Sequence, residues 1–308
     1  VIMMKTVFVH SFGWPDVLSV ESSQIPAPQP GELLIEVHYA GVLPLDCAIR
    51  SGFAQAFFPV EFPYVPGFAV SGVVAQLGPD VTGFKVGQFV FGNVKGAYSE
   101  YAIGKETEIF PMSENLGFKE AAMIPGGGAS AWKALFHIGN LQEDQKVLIT
   151  GAAGGVGQFA VQLAKNRGAY VLATASPSNI SFVESLGADL VFDYTKVKLN
   201  ELKEKVDLVI DNVGGEVQNQ AWSILKKSGK LVSLVQPPSE EQAALIGVTG
   251  AFVMGVPHRK DFIALANLMA SGVIKTEAPN VFDLDSVRQA HTKSELRHGR
   301  GRVLLKIK

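Results

Sequence analysis

The chain has 308 residues, 47% hydrophobic and 18% charged, which is enough to bury a large core and, by length, to build two domains of ordinary size. A formal net charge of -2 offers no broad basic surface to release counterions from nucleic acid or anionic lipid. Cys47 is the only cysteine, which excludes an intrachain disulfide and any zinc site built from several thiolates, and predicts a reducing, cytoplasmic setting. No secretory cleavage pattern is present, and no stretch reaches the roughly 18 apolar residues that a membrane span needs.

The first 110 or so residues read as short strands broken by Pro and Gly: KTVFVH, ELLIEVHYAGV, VSGVVAQLG, QFVFGN and AYSEYAI, with PAPQPGE and LGPD as turns. From about Gln145 the period changes. VLIT is a buried strand, VGQFAVQLAKNRG a helix ended by Gly168, and YVLATA a second strand, together a βαβ unit. Strand-like and helical segments then alternate through ISFVESLG, DLVFDY, VDLVIDNVG, the helical VQNQAWSILKKSG, KLVSLV, AFVMGV and DFIALANLMASG, which predicts an α/β, doubly wound parallel sheet. The tail, VRQAHTKSELRHGRGRVLLKIK, reads as a helix followed by a strand.

The turn Gly151-Ala152-Ala153-Gly154-Gly155-Val156-Gly157 sits between the first strand and the helix of that βαβ unit, with Ala152 at the first glycine of the GxGxxG pattern. Small residues let the backbone approach a pyrophosphate, the helix N-terminus offers unpaired N–H groups, and Gly157 lets helix and sheet pack closely. A glycine pattern alone also fits an ordinary tight turn. The flanking strand, helix and second strand at the expected spacing select the dinucleotide reading. The second strand ends Thr174-Ala175-Ser176 without the acid that would hold a ribose 2'-hydroxyl, and Ser176, Asn179 and Tyr194 could donate to a 2'-phosphate. NADPH is therefore the expected cofactor, although SPSN brings no Lys or Arg.

With these motifs placed, nearly the whole chain resembles the medium-chain dehydrogenase/reductase superfamily, and within it the zinc-independent quinone oxidoreductase and enone reductase branch. The resemblance is carried by GVLPLDCAIRSG, FPYVPGFAVSGVV, AAMIPGGGASAWKAL, AAGGVG with QLAK, SLGADLVFDY, VIDNVGG and HGRGRVLLKI. It implies a Rossmann domain (120–272) inserted into a GroES-like, mostly β domain (1–119, with 273–308 returning to it), an active-site cleft at their junction, and a homodimer formed through AFVMGV. It also implies cofactor contacts from Ser130, Asn212, Val213, Val235, Gln236, Phe252, Val253 and Arg300, beside Ala152, Ala153, Gly154, Gly155, Val156, Gly157 and Thr174.

Zinc relatives carry a Cys at the position of Leu43 and a His-Glu pair at Phe68-Ala69, and these replacements offer a metal no lone pair, so no metal is expected. The six histidines show no paired ligand spacing and are expected to be solvated or capping. The resemblance places Leu43, Phe53, Phe57, Phe58, Tyr64 and Phe68 around the substrate, an apolar, aromatic wall suited to flat conjugated carbonyls. Polar groups that relatives present at Leu43 and Ala48 are absent. Tyr64 and Cys47 remain as candidate catalytic groups, and Asp46 is expected to cap or pair locally. The expected activity is NADPH-dependent hydride transfer to a quinone or an α,β-unsaturated carbonyl; the alternative is an NADPH-binding structural or regulatory protein with little turnover.

Overall fold

The computed structural model describes residues 2–255 and 258–308. Its helices include α1 (Pro44–Ser51), α2 (Gly157–Asn166) and α3 (Val287–Glu295). The described chain forms two compact units. One comprises the residues up to Gly126 with Phe262–Gly272 and Glu277–Lys308; the other comprises Gly127–Asp261 with Val273–Thr276.

The first unit is built on a seven-stranded sheet. Its path runs Val281–Asp283, Val303–Lys306, Glu32–Val42, Ala69–Leu77, Phe89–Asn93, Ile109–Pro111, and Tyr101–Lys105 also pairs with Glu32–Val42. Only the Val281–Asp283 and Val303–Lys306 pair is parallel. A separate antiparallel hairpin joins Met3–Val9 to Leu18–Gln24. Leu33, Ile35, Val37, Val70, Val90 and Leu305 are buried in one cluster, so strands from both ends of the chain share a single core. α1 begins at Pro44, whose missing N–H costs nothing there, and ends at Gly52 in the left-handed region (φ 87°).

The second unit holds a six-stranded, wholly parallel sheet: β1 (Lys146–Ile149), β2 (Tyr170–Ala175), β3 (Leu190–Asp193), β4 (Val206–Asp211), β5 (Leu225–Ser233) and β6 (Thr249–Phe252). Its order is β3-β2-β1-β4-β5-β6, the doubly wound order of a Rossmann sheet, which places a switch point between β1 and β4. Leu148, Leu172, Val209 and Leu231 lie in one buried cluster of this unit. α2 stops short of Gly168, which takes φ 90°.

Three sequence expectations differ from the structure. The helix expected through VQNQAWSILKKSG ends at Ala221, and Leu225–Ser233 is strand. The interruption is Ser228 at φ 63° beside Gly229, which lets the two exposed lysines precede the buried run KLVS without breaking the strand. The range 120–272 also does not coincide with a contact unit. Phe262 stacks on Phe110 at 4.4 Å between ring centroids and lies 6.4 Å from Phe91, so the helix Arg259–Ala270 shares its apolar side with the β unit. Of AFVMGV, only Ala251 and Phe252 are strand, and Val256, like Val1 in the range 1–119, lies outside the described residues.

Candidate functional site

The strand β1 leads through Thr150 into the glycine-rich turn. Gly151 takes φ 61°, its N–H donates to Thr174 Oγ1 (3.3 Å), and the Ala152 N–H donates to the Thr174 carbonyl (3.1 Å). The turn is thus tied to β2, and Thr174 is buried in doing it. A Cβ on Gly157 would stand 2.3 Å from the Gly151 carbonyl oxygen and 2.6 Å from Ala152 backbone atoms, so only glycine fits where α2 leaves the turn. A Cβ on Gly154 would meet only the Gly151 oxygen, at 3.4 Å. That opening is what a pyrophosphate needs. α2 has no side-chain cap, and among the described residues the N–H groups of Ala153, Gly155 and Val156 have no backbone acceptor. Unpaired donors and the positive end of a ten-residue helix converge on one small space. The residues present therefore fit a dinucleotide pyrophosphate.

Across the switch point, a residue with no evident role in the sequence organises the neighbouring turns. Asp211, fully buried at the end of β4, accepts from the Val213 N–H (3.0 Å), the Gly214 N–H (2.8 Å), Gln218 Nε2 (3.0 Å) and Ser233 Oγ (2.7 Å). Ser233 Oγ then accepts from the Val235 and Gln236 N–H groups, and Gln236 Oε1 accepts from the Gly215 N–H. One carboxylate thereby fixes the ends of β4 and β5, leaving Val213 and Val235 exposed at their tips. A run VIDN with a polar SL-V-Q turn one strand later was the available signal. Asn212 is committed to Thr150: its N–H donates to Thr150 Oγ1 and its amide to the Thr150 carbonyl, both at 3.0 Å. Phe252 pairs with Ser233, and the Val253 N–H reaches the Ser233 carbonyl (2.9 Å), which brings both to the same end of the sheet. Ser130 lies half-buried on the short helix Ala129–Trp132.

Beyond β2, Asn179 is buried and its amide donates to Ser176 Oγ (3.1 Å), while Tyr194 is exposed with its N–H near the Ala175 carbonyl (3.4 Å). β2 itself carries no acid here. Asp193, one strand over, stands in register with Ala175, and its carboxylate accepts from the Thr195 N–H and Oγ1 (2.9 and 2.6 Å), which hold its pKa below the ordinary range.

In the β unit, the residues expected around a substrate separate. Leu43 is buried against Gly126, and Cys47 and Tyr64 pack with the core, but Phe53 and Phe57 are 91% and 79% exposed. The turns that follow Gly52 carry these two rings into solvent. Phe68 is half-buried and Ala69 fully buried. The expectation that all histidines are solvated or capping is corrected too: His291 is fully buried in a polar cluster. Arg50 Nη1 donates to His291 Nδ1 (2.8 Å) and to Glu295 Oε1 (2.5 Å). The other ring nitrogen, Nε2, is then the protonated one and donates to Tyr98 Oη (2.9 Å), whose proton goes to Asp46 Oδ2 (3.2 Å). Asp46 Oδ2 also accepts the Leu43 N–H (2.8 Å), the local cap expected of it. Burial, then the Arg50 charge, pushes His291 down to about 3. Burial, then the Asp46 charge, pushes the Cys47 thiol and the Tyr64 phenol up to about 12 each. A thiol so held is a poor nucleophile, since the thiolate is the reactive form. Among the described residues, Cys47, His291 and Glu295 bring three ligand-type atoms within 4.8 Å of one another. The Arg50 guanidinium is hydrogen-bonded into that cluster, to His291 and Glu295. At the tail, Arg300 pairs with Glu277 (2.9 Å), whereas Arg302 is buried and donates through Nη2 to the Gly126 carbonyl (3.1 Å).

These features define a nicotinamide-dependent oxidoreductase on a Rossmann sheet joined to a GroES-like unit. Residues 29–127 match the alcohol dehydrogenase GroES-like domain model and residues 186–305 the zinc-binding dehydrogenase model. The quinone oxidoreductase of Mus musculus is 30% identical, over 98% of this chain and 96% of its own. A quinone oxidoreductase structure from Coxiella burnetii superposes with a TM-score of 0.94 at 31% identity, covering all of both chains. A mycobacterial protein solved with NADPH superposes with a TM-score of 0.87 at 26% identity, over 98% of this chain and 99% of its own. The chain belongs to the medium-chain dehydrogenase/reductase superfamily, in its quinone oxidoreductase branch.

Proposed function

We propose that the protein is an NADPH-dependent reductase that delivers hydride to quinones or α,β-unsaturated carbonyls without zinc. The observation that carries this reading is the turn Gly151–Gly157, with its unpaired N–H groups at an uncapped helix N-terminus, next to a second strand that ends without an acid. The solved mycobacterial relative with NADPH supports the choice of cofactor. Ser176 and Tyr194 supply hydroxyls beside the end of β2 for the 2'-phosphate.

The bound nicotinamide supplies hydride. The protein then has to orient the acceptor and provide a proton for the enolate or phenolate oxygen. Tyr64 Oη is a buried hydroxyl with no partner among the described residues, and it is the side chain proposed to hold that oxygen. Leu43, Phe68 and Ala69 leave a metal no ligand in the positions used by zinc relatives. The exposed edge of β6, flanked by the exposed Leu245 and Met254, is the proposed homodimer surface. No helix among the described residues is long and apolar enough to cross a membrane, and the lone thiol supports a cytoplasmic setting. The test is NADPH oxidation with 1,4-benzoquinone and with a simple enone, run beside oxidation of an alcohol by NADP. Turnover with the first pair and none with the alcohol is expected; the reverse overturns the proposal. Tight NADPH binding with no turnover at all would favour the binding-protein reading, which the apolar Leu43 and Ala48 motivate.

A further inference from the structure

Asp46 and Arg302 are both buried, at 1% and 6% exposure, and each retains a polar atom without a partner: Asp46 Oδ1 and Arg302 Nε. The two side chains act on one another electrostatically, yet the guanidinium spends its hydrogen bond on the Gly126 carbonyl rather than on the carboxyl. Buried orphans are rare, because each forfeits its hydration.

Their neighbours explain why the arrangement holds. Asp46 Oδ2 is filled by the Leu43 N–H and the Tyr98 hydroxyl. Leu43 is packed so closely on Gly126 that a Cβ there would meet it at 2.3 Å, and Gly126 takes φ 73°. The groups around Asp46 come from every element against it: Cys47 and Arg50 on α1, Tyr64 ahead of Ala69–Leu77, Tyr98 ahead of Tyr101–Lys105, His291 and Glu295 on α3, and Arg302 leading into Val303–Lys306. Arg50 is satisfied by Glu295, His291 and the Gly13 carbonyl, which leaves Arg302 as the cation able to answer a charge on Asp46. Burial pushes the Asp46 carboxyl up to about 7, against the opposing pull of the Leu43 N–H, Tyr98 and the Arg302 charge. With Oδ2 accepting twice, the neutral acid carries its proton on Oδ1, where it cannot accept from Arg302 Nε, and both atoms are unpaired.

We propose that Asp46 is a positioning residue: on losing its proton it draws Arg302 from the Gly126 carbonyl onto its free oxygen, and so shifts the Leu43–Gly126 contact. The proton leaves to solvent and no covalent bond changes. Asp46 touches neither hydride nor acceptor; it acts through Leu43, which the reductase reading places at the substrate. The kinetic consequence rests on that reading, and the structural consequence does not.

The experiment tracks the backbone amide resonances of Leu43 and Gly126 between pH 5 and 9 in the whole protein, in the wild type and in Asp46→Asn, Arg302→Lys and Arg302→Met. Both amides should titrate together with one midpoint in the wild type, stay flat in Asp46→Asn, and show a midpoint raised by about half a pH unit or more in Arg302→Met but not in Arg302→Lys. Flat wild-type amides, or a titration that survives Asp46→Asn, overturn the proposal. If Asp46→Asn fails to fold, an unmoved midpoint in Arg302→Met overturns it instead. In parallel, kcat/KM for NADPH oxidation by 1,4-benzoquinone should fall about tenfold one pH unit above that midpoint in the wild type and not in Asp46→Asn. A decline that persists in Asp46→Asn overturns the kinetic role. Titrating amides without turnover at any pH support the switch while refuting the reductase reading.

Discussion

Replacing Gly157 with alanine puts a methyl group 2.3 Å from the Gly151 carbonyl oxygen and 2.6 Å from two backbone atoms of Ala152, all of them in the segment that β1 and β2 hold in place. None of these is the end of a flexible side chain, so the turn itself has to move. Overpacking of this kind costs about 1–3 kcal/mol, against a gain from helix propensity of at most about 1 kcal/mol. A net loss of about 2 kcal/mol is expected. A shift of several tenths of an ångström also misaligns the N–H groups of Ala153, Gly155 and Val156, and at about 2 kcal/mol NADPH affinity falls roughly 30-fold. Gly154→Ala separates the two effects. Its methyl group meets only one atom, at 3.4 Å, so the fold should lose little, while a methyl on the open face of the turn should still weaken the cofactor. Urea unfolding and titration of NADPH fluorescence measure the two quantities. If Gly157→Ala is as stable as the wild type and binds NADPH within twofold of it, the steric argument is refuted.

Other perturbations read other parts of the molecule. Ser176→Asp, which restores an acid beside the end of β2, should raise the Kd for NADPH at least tenfold and leave NADH binding nearly unchanged; equal effects on both cofactors would show that the 2'-phosphate lies elsewhere. Asp211→Asn turns one acceptor of a four-donor site into a donor facing donors and should cost about 2–4 kcal/mol by urea unfolding, with a loss under 1 kcal/mol counting against its organising role. The pH dependence of stability has a specific sign. His291, depressed from 6.5 to about 3 on folding, contributes stability that is lost as pH falls below about 6.5. Asp46, raised from 3.8 to about 7, contributes stability that is lost as pH rises from about 4 through 7. Between about pH 4 and 6.5 the folded protein holds a proton on Asp46 that the unfolded chain holds on the histidine, so the two slopes cancel. His291→Gln should expose the Asp46 slope, with stability falling as pH rises across that window; a flat profile in the variant would contradict it.

The order of the Rossmann strands is legible because VLIT, YVLATA, VDLVID and KLVS are short apolar runs separated by glycines, and a buried parallel strand needs little else. SILKKSG reads as helix because Lys226 and Lys227 continue a helical polarity pattern; strand pairing and the left-handed Ser228 override it. Asp211 and His291 are illegible for a different reason. A buried polar residue looks like an exposed one in sequence, and its partners, Ser233 for the first, Tyr98 and Arg50 for the second, lie 22 to 241 positions away. The aromatic run after Gly52 reads as a pocket wall through the resemblance alone, and the turns over 52–57 leave Phe53 pointing outward.

The pairing of Glu32–Val42 with Val303–Lys306 bears on how the molecule is made. Tyr39–Val42 is made long before its partner Val303–Lys306, so this stretch, beyond the part of the edge that Tyr101–Lys105 covers, stays open while the intervening chain is synthesised. Most of the Rossmann unit, by contrast, is complete once Asp261 has emerged. The inserted unit can fold during synthesis, and the unit that surrounds it in sequence must wait for Val303–Lys306. A chaperone that shields Tyr39–Val42 would act in that interval, and a chain cut before residue 303 would keep that stretch of edge exposed, a template for aggregation.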